Sequence, residues 1–142
     1  MSLRIGTRAL YLAIGLFALA LGGTANAHHS FAMFDQNKLN TMTGTVKQFE
    51  WQNPHAWLQI EIADANGKTA IWSFEGGSPA QLASLGWKPE NFHAGDKVEV
   101  GFRPLKDGSR GGQLMSAKVS GGQKICSNRG CGDGSGNILA PF

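Results

Sequence analysis

Phe49-Glu50-Trp51-Gln52-Asn53-Pro54-His55-Ala56-Trp57-Leu58-Gln59-Ile60-Glu61-Ile62 is the stretch that decides the fold. Its second half alternates. Ala56, Leu58, Ile60 and Ile62 fall on one face, and His55, Trp57, Gln59 and Glu61 on the other. A period of two over this length predicts a half-buried strand. Pro54 cannot donate to a ladder and pushes Asn53 toward an extended or turn conformation, so Asn53-Pro54 predicts the corner where the strand starts. Burial accounts for the even positions. It leaves an imidazole and an indole together on the polar face. Two readings stay open. In one, Trp57 covers a barrel end and His55 bonds a neighbouring carbonyl. In the other, the two belong to a binding face.

Working outward, Leu39 to Trp51 is a long Thr-rich strand whose apolar face changes parity between Val46 and Phe49. That slip predicts a bulge or sharp bend, with Gly44 as the residue that permits it. Downstream, Asn66-Gly67 is a hairpin turn, and Thr69 to Glu75 is the returning strand. Ser78-Pro79-Ala80-Gln81 then reads as the start of a helix: Ser78 as N-cap, Pro79 in the first position, Gln81 completing a capping box. Leu82 and Leu85 share its face, and Gly86 stops it, so a helix over Pro79–Leu85 is predicted. Gly95-Asp96 opens a fourth strand, Lys97 to Arg103, and Gln113 to Val119 is a fifth. From Gly121 the chain is Gly-rich and reads as an irregular tail.

The fold class is therefore mostly β: a small five-stranded OB-like barrel with one short helix between strands 3 and 4. The expected core is Val46, Leu58, Ile60, Ile62, Trp72, Phe74, Leu82, Leu85, Val98, Val100 and Phe102. Such a barrel carries no chemistry by itself.

Three segments divide the chain: a signal peptide (1–27), a barrel domain with an N-terminal arm (28–120) and the Gly-rich tail (121–142). Arg4 and Arg8 precede a 13-residue apolar run, Ala9 to Leu21, and Ala25-Asn26-Ala27 is a small-x-small cleavage pattern. The run is short for a bilayer, which needs about 20 residues. Export to the periplasm or medium is expected, with no stable membrane anchor after cleavage. The mature chain would be His28 to Phe142, 115 residues and one small domain. Loss of Arg4 and Arg8 lowers the formal charge from +3 to +1, and no Lys/Arg stripe remains, so nucleic acid is excluded as a partner. In an oxidising compartment Cys126 and Cys131 are expected to pair as a disulfide, ahead of any metal thiolate.

His28-His29-Ser30-Phe31, Gly44-Thr45-Val46, Trp51-x-Asn53-Pro54-His55-Ala56-Trp57, Trp72-x-x-Glu75-Gly76-Gly77-Ser78-Pro79 and Gly95-Asp96-Lys97-Val98 occur together. In these motifs the chain resembles a family of small exported bacterial proteins of unknown function, over roughly Ala27 to Val119. The resemblance implies periplasmic export and supplies no activity.

The chemistry rests on four histidines: His28, His29, His55 and His93. Asp133 to Asn137 lacks the glycine and closing glutamate of a calcium loop, and no Lys follows Gly76-Gly77 as in a phosphate loop. With cleavage after Ala27, His28 carries an α-amine and an imidazole on one residue, a chelate suited to Cu(II) or Ni(II). His29 and Met33 add a ring and a thioether, and Phe31 and Phe34 are expected to pin the arm. The first expectation is a non-enzymatic binding module holding copper through His28, His29 and His55. The second is a metal-free barrel that binds a small ligand or partner protein through His55 and Trp57, with Trp51 and Glu75 as further ligand-binding candidates and the histidine arm incidental. The third is a copper-dependent oxidase or oxygenase.

Overall fold

The alternation from Ala56 onward builds the expected strand, and its neighbours assemble around it. The computed structural model describes residues 31–128. Six strands are present: β1 (Asn40–Glu50), β2 (Trp57–Ala63), β3 (Thr69–Glu75), β4 (Lys97–Pro104), β5 (Gly111–Val119) and the two-residue β6 (Ile125–Cys126). Their order is β3-β2-β1-β4-β5-β6, and a parallel β3–β5 pairing closes the first five into a barrel. A short helix, α1 (Pro79–Ala83), lies between β3 and β4. This is the predicted architecture.

The strand pairs show why it closes. β1 serves two ladders. Asn40 to Thr45 pair with β4, and Thr45 to Glu50 pair with β2. The parity slip is real, but it lies at Lys47, between Val46 and Gln48, and not at Gly44. Gly44 has a different role. A Cβ there would stand 2.8 Å from the Glu61 carbonyl oxygen and 2.9 Å from Ile60 Cδ1, so glycine is what lets β1 lie this close to β2. The β2–β3 hairpin turns at Gly67, φ +77°, and Asp64 Oδ1 accepts the amides of Asn66 and Lys68 at 2.8 and 3.0 Å. Closure needs two more glycines. Gly111 and Gly112 pair in parallel with Ser73 and Phe74.

β2 itself starts two residues later than expected, at Trp57. His55 sits just before it. Ala56 continues the pairing through its N–H to Gly77 O, 3.0 Å, and its carbonyl accepts Gly76 N–H at 2.8 Å. The Asn53–Pro54 peptide at the preceding corner is cis.

Val46, Leu58, Ile60, Phe74, Leu82, Val98, Val100 and Phe102 form the core as expected, joined by Ala56, Trp87, Phe92, Leu114 and Ala117. Ile62, Trp72 and Leu85 only pack against it, half-buried. Parity gives the face of a residue and not its depth along the barrel axis. Ile62 and Trp72 point inward, toward the end that α1 does not cover. α1 ends earlier than expected. Leu82 is fully buried, and the helix closes at Ser84 with Gly86 at φ +88°. Ser78 Oγ accepts the Gln81 amide at 3.3 Å, while the Gln81 side chain lies over Gly77 instead of completing the box.

Described residues on both flanks of the barrel pack against it. Phe34 is buried and bridges to Leu105, and Asp35 N–H donates to Pro104 O at 2.8 Å. Phe31 does not dock: it is 65% exposed. The stretch after Gly121, read as irregular, supplies β6, which pairs with Ser116 and Ala117. Trp87 donates its indole Nε1–H to Cys126 O at 2.8 Å, tying β6 to the core. Among the described residues no helix is long and apolar enough to cross a membrane.

Candidate functional site

The outer face of the barrel carries a belt with one residue from each main strand. Glu50 is the cross-strand partner of Trp57, Trp57 of Glu75, Glu75 of Gln113 and Gln113 of Arg103. Directly paired residues share a face, so these five side chains run side by side around the outside. Each is half-buried or buried. Glu75 is only 7% exposed, although its position faces away from the core.

A buried carboxylate is costly unless something charged or donating meets it. His55 is that partner: its Nδ1 contacts Glu75 Oε1. The contact follows from the local chain. Ala56 and Gly76 are held together by their backbone bonds, so the residues just before each, His55 and Glu75, are set against one another. In the neutral ring, a proton on Nδ1 donated to Glu75 leaves Nε2 as the nitrogen with the lone pair. Such a carboxylate–imidazole pair fixes ring and tautomer, as it does for metal-ligating histidines in general.

Beside the pair lies an amide cluster. Gln52 Nε2 and Gln59 Nε2 donate to Glu50 Oε2 and Oε1 at 3.0 and 3.1 Å. On the other side, Gln113 Oε1 is buried with no hydrogen-bond partner.

Of the residues singled out from sequence, the fold brings together His55, Glu75 and Trp57. Trp51 packs edge-to-face on Phe49, ring centroids 5.6 Å apart, as part of the wall around the core. His93 stands elsewhere, exposed, with Nδ1 3.7 Å from Asp96 Oδ2. Cys126 is disulfide-bonded. Its expected partner Cys131, the histidines His28 and His29, and the signal peptide all lie outside the described residues. Among the described residues no group of three or more His, Cys, Asp or Glu is arranged to hold a metal. Gln113 and the Glu50 network were missed from sequence. Gln113 meets Glu75 only through the parallel β3–β5 register, and Glu50 reaches it only across Trp57, so no local pattern encodes either relation.

Residues 17–115 match the model of a family of unknown function, DUF6152. The chain belongs to this family. The DUF6152 match takes in β1 to β4, the His55–Glu75 pair and most of β5, and it ends before β6 and the tail. No curated protein and no solved structure matches the chain.

Proposed function

We propose that this DUF6152 protein is an exported, non-enzymatic binding module that holds one metal ion, copper in first place. Its ligands are the His28 amine and ring together with a further imidazole, from His55 or His29. The observation that carries the reading is the contact between His55 Nδ1 and the buried Glu75 carboxylate. A proton held on Nδ1 by this contact would put the coordinating lone pair of the neutral ring on Nε2. Nitrogen-rich ligand sets favour Cu(II) and Ni(II). The terminal chelate depends on cleavage after Ala27, which Arg4, Arg8, the apolar run and Ala25-Asn26-Ala27 support.

The test is calorimetric titration of correctly processed protein with Cu(II). His55→Ala should weaken binding about 10-fold or more, and Glu75→Gln about 10- to 100-fold, as loss of a metal ligand's hydrogen-bonded support does. His93→Ala should change nothing. A chain extended by one residue before His28 should lose tight binding, because its amine is displaced. Equal affinity in the extended chain would overturn the terminal chelate.

The belt favours one second reading. Trp57 lies between two carboxylates, Glu50 and Glu75, on an outer face. An aromatic plane flanked by acceptors suits a small organic ligand with donor groups. Periplasmically purified protein free of metal would favour this reading.

A further inference from the structure

The two ends of the barrel are finished differently. α1 plugs one of them through Leu82. At the other, Leu39, Met42, Trp72, Phe102, Gly108 and Ser109 are among the residues that line a half-open groove of about 540 Å³. Trp72 and Phe102 meet edge to face, centroids 6.1 Å apart. Leu39 is 60% exposed, a large apolar side chain in the lining of a groove that is part apolar and part polar, with Asn40 and Thr41 beside it. The described residues leave this groove uncovered, and the volume is that of a site for a few side chains or one small molecule.

The chain itself carries a matching segment. After Cys126 the sequence runs through glycines at 130, 132, 134 and 136, with polar residues among them. It then becomes wholly apolar: Ile138-Leu139-Ala140-Pro141-Phe142. Pro141 biases Ala140 toward an extended backbone, the form a groove accepts. The direction is also right. β6 is antiparallel to β5, and Ser127 N–H donates to Met115 O at 2.9 Å, so the chain leaves β6 heading toward the start of β5. That start, Gly111, adjoins the lining residues Gly108 and Ser109.

The reach suffices even if Cys131 is the disulfide partner of Cys126, as expected from sequence. Cys126 is opposite Ser116, seven residues along from Ser109, a path of about 24 Å at strand rise. From a Cys131 held beside Cys126, seven residues reach Ile138, about 23–25 Å when extended. Phe142 has four more.

We propose that Ile138–Phe142 docks in this groove as an intramolecular ligand, with Leu139 and Phe142 against Trp72 and Phe102. The groove is then an occupied site, open to another apolar ligand only in competition with the tail. The proposal stands apart from the metal reading, since it uses the opposite end of the barrel and residues beyond the family match.

The test is NMR on the full mature chain. Nuclear Overhauser contacts are expected from the Phe142 ring and Leu139 methyls to the Trp72 indole and the Met42 methyl. In Leu139→Ser/Phe142→Ser, and in a chain ending at Asn137, those contacts should vanish and the resonances of Leu39, Met42, Trp72 and Ser109 should shift. Synthetic peptide Asn137–Phe142 added to the shortened chain should return them. The serine variant keeps the whole chain; a melting midpoint lowered by no more than the lost docking, with the amide resonances of β2 unchanged, excludes misfolding as the cause. Identical Trp72 resonances in the full and shortened chains would overturn the proposal. So would contacts that arise only between differently labelled molecules, which would make a second copy the occupant.

Discussion

At Gly111 there is no room for a side chain. A Cβ would stand 2.1 Å from the Ser73 carbonyl oxygen, and one on Gly112 would stand 2.2 Å from that of Arg103. Both obstacles are backbone, so neither can swing aside. Gly111→Ala should therefore destabilise by about 1–3 kcal/mol or more, read as a lower urea midpoint. A midpoint equal to that of the parent would mean that β3 and β5 do not pair. Two acids give a residue-scale pH dependence. Lys38 beside Asp35, helped by the Asn37 amide, holds that carboxyl below its ordinary value, and the amide and hydroxyl of Ser109 do the same for Asp107. A carboxyl depressed in the folded state binds its proton less readily there than in the unfolded chain. Its stabilising effect is thus complete above the ordinary value of 3.8 and is lost as the pH falls through the lower folded value. NMR titration of the Asp35 and Asp107 carboxyls should show both midpoints below that of an unstructured aspartate. The role of His55 was legible in the sequence as a polar residue with no burial argument. Its partner Glu75 was legible only as one of several acids, because twenty residues of chain separate the two.

α1 is the element that the sequence specifies most locally. Ser78, Pro79 and Leu82 act within one turn and behave as read, while the helix closes at Ser84, before Gly86. Leu82 fills the plugged end without exposure, so Leu82→Ala should cost about 2–5 kcal/mol in chemical denaturation. A loss under about half a kcal/mol would mean the helix does not dock. β1 was legible as a strand with a slip, yet the slip was assigned to Gly44. A glycine in a strand serves either a bulge or a close approach, and only the neighbouring strand reveals which. β6 left no trace in the sequence. Two residues cannot show a period, and Ile125-Cys126 becomes a strand because Trp87 and Ser127 hold it against β5.

At the scale of the molecule, the strand order followed from counting strands and placing the helix between the third and fourth. What did not follow was the contribution of the loops. Trp87 and Phe92 stand outside the strands and are buried, stacked near Phe49 with centroids 6.2 and 5.2 Å from its ring. Periodicity cannot find core residues where the chain has no period. Trp87 also joins core to tail. Trp87→Phe keeps most of the ring and removes the N–H that Cys126 accepts, so about 0.5–1.5 kcal/mol should be lost. Hydrogen exchange should show the amides of β6 and Ser127 opening before those of β1 if the indole is what holds them. Equal protection in variant and parent would assign that role to the β5 pairing alone.

The shared first strand has a consequence in time. β1 is made early, but its ladder to β4 needs residues up to Phe102, and barrel closure needs Gln113. Between Glu50 and Gln113 lie 63 residues of synthesis. At about 5–20 residues per second that is roughly 3 to 13 s during which β1, β2 and then β3 can form only an open sheet with bare edges. Such an edge is a template for pairing with other chains. The nascent chain is therefore expected to be most prone to aggregate, and most in need of a chaperone, in the interval between the β2–β3 turn and the arrival of the Gly111-Gly112 pair.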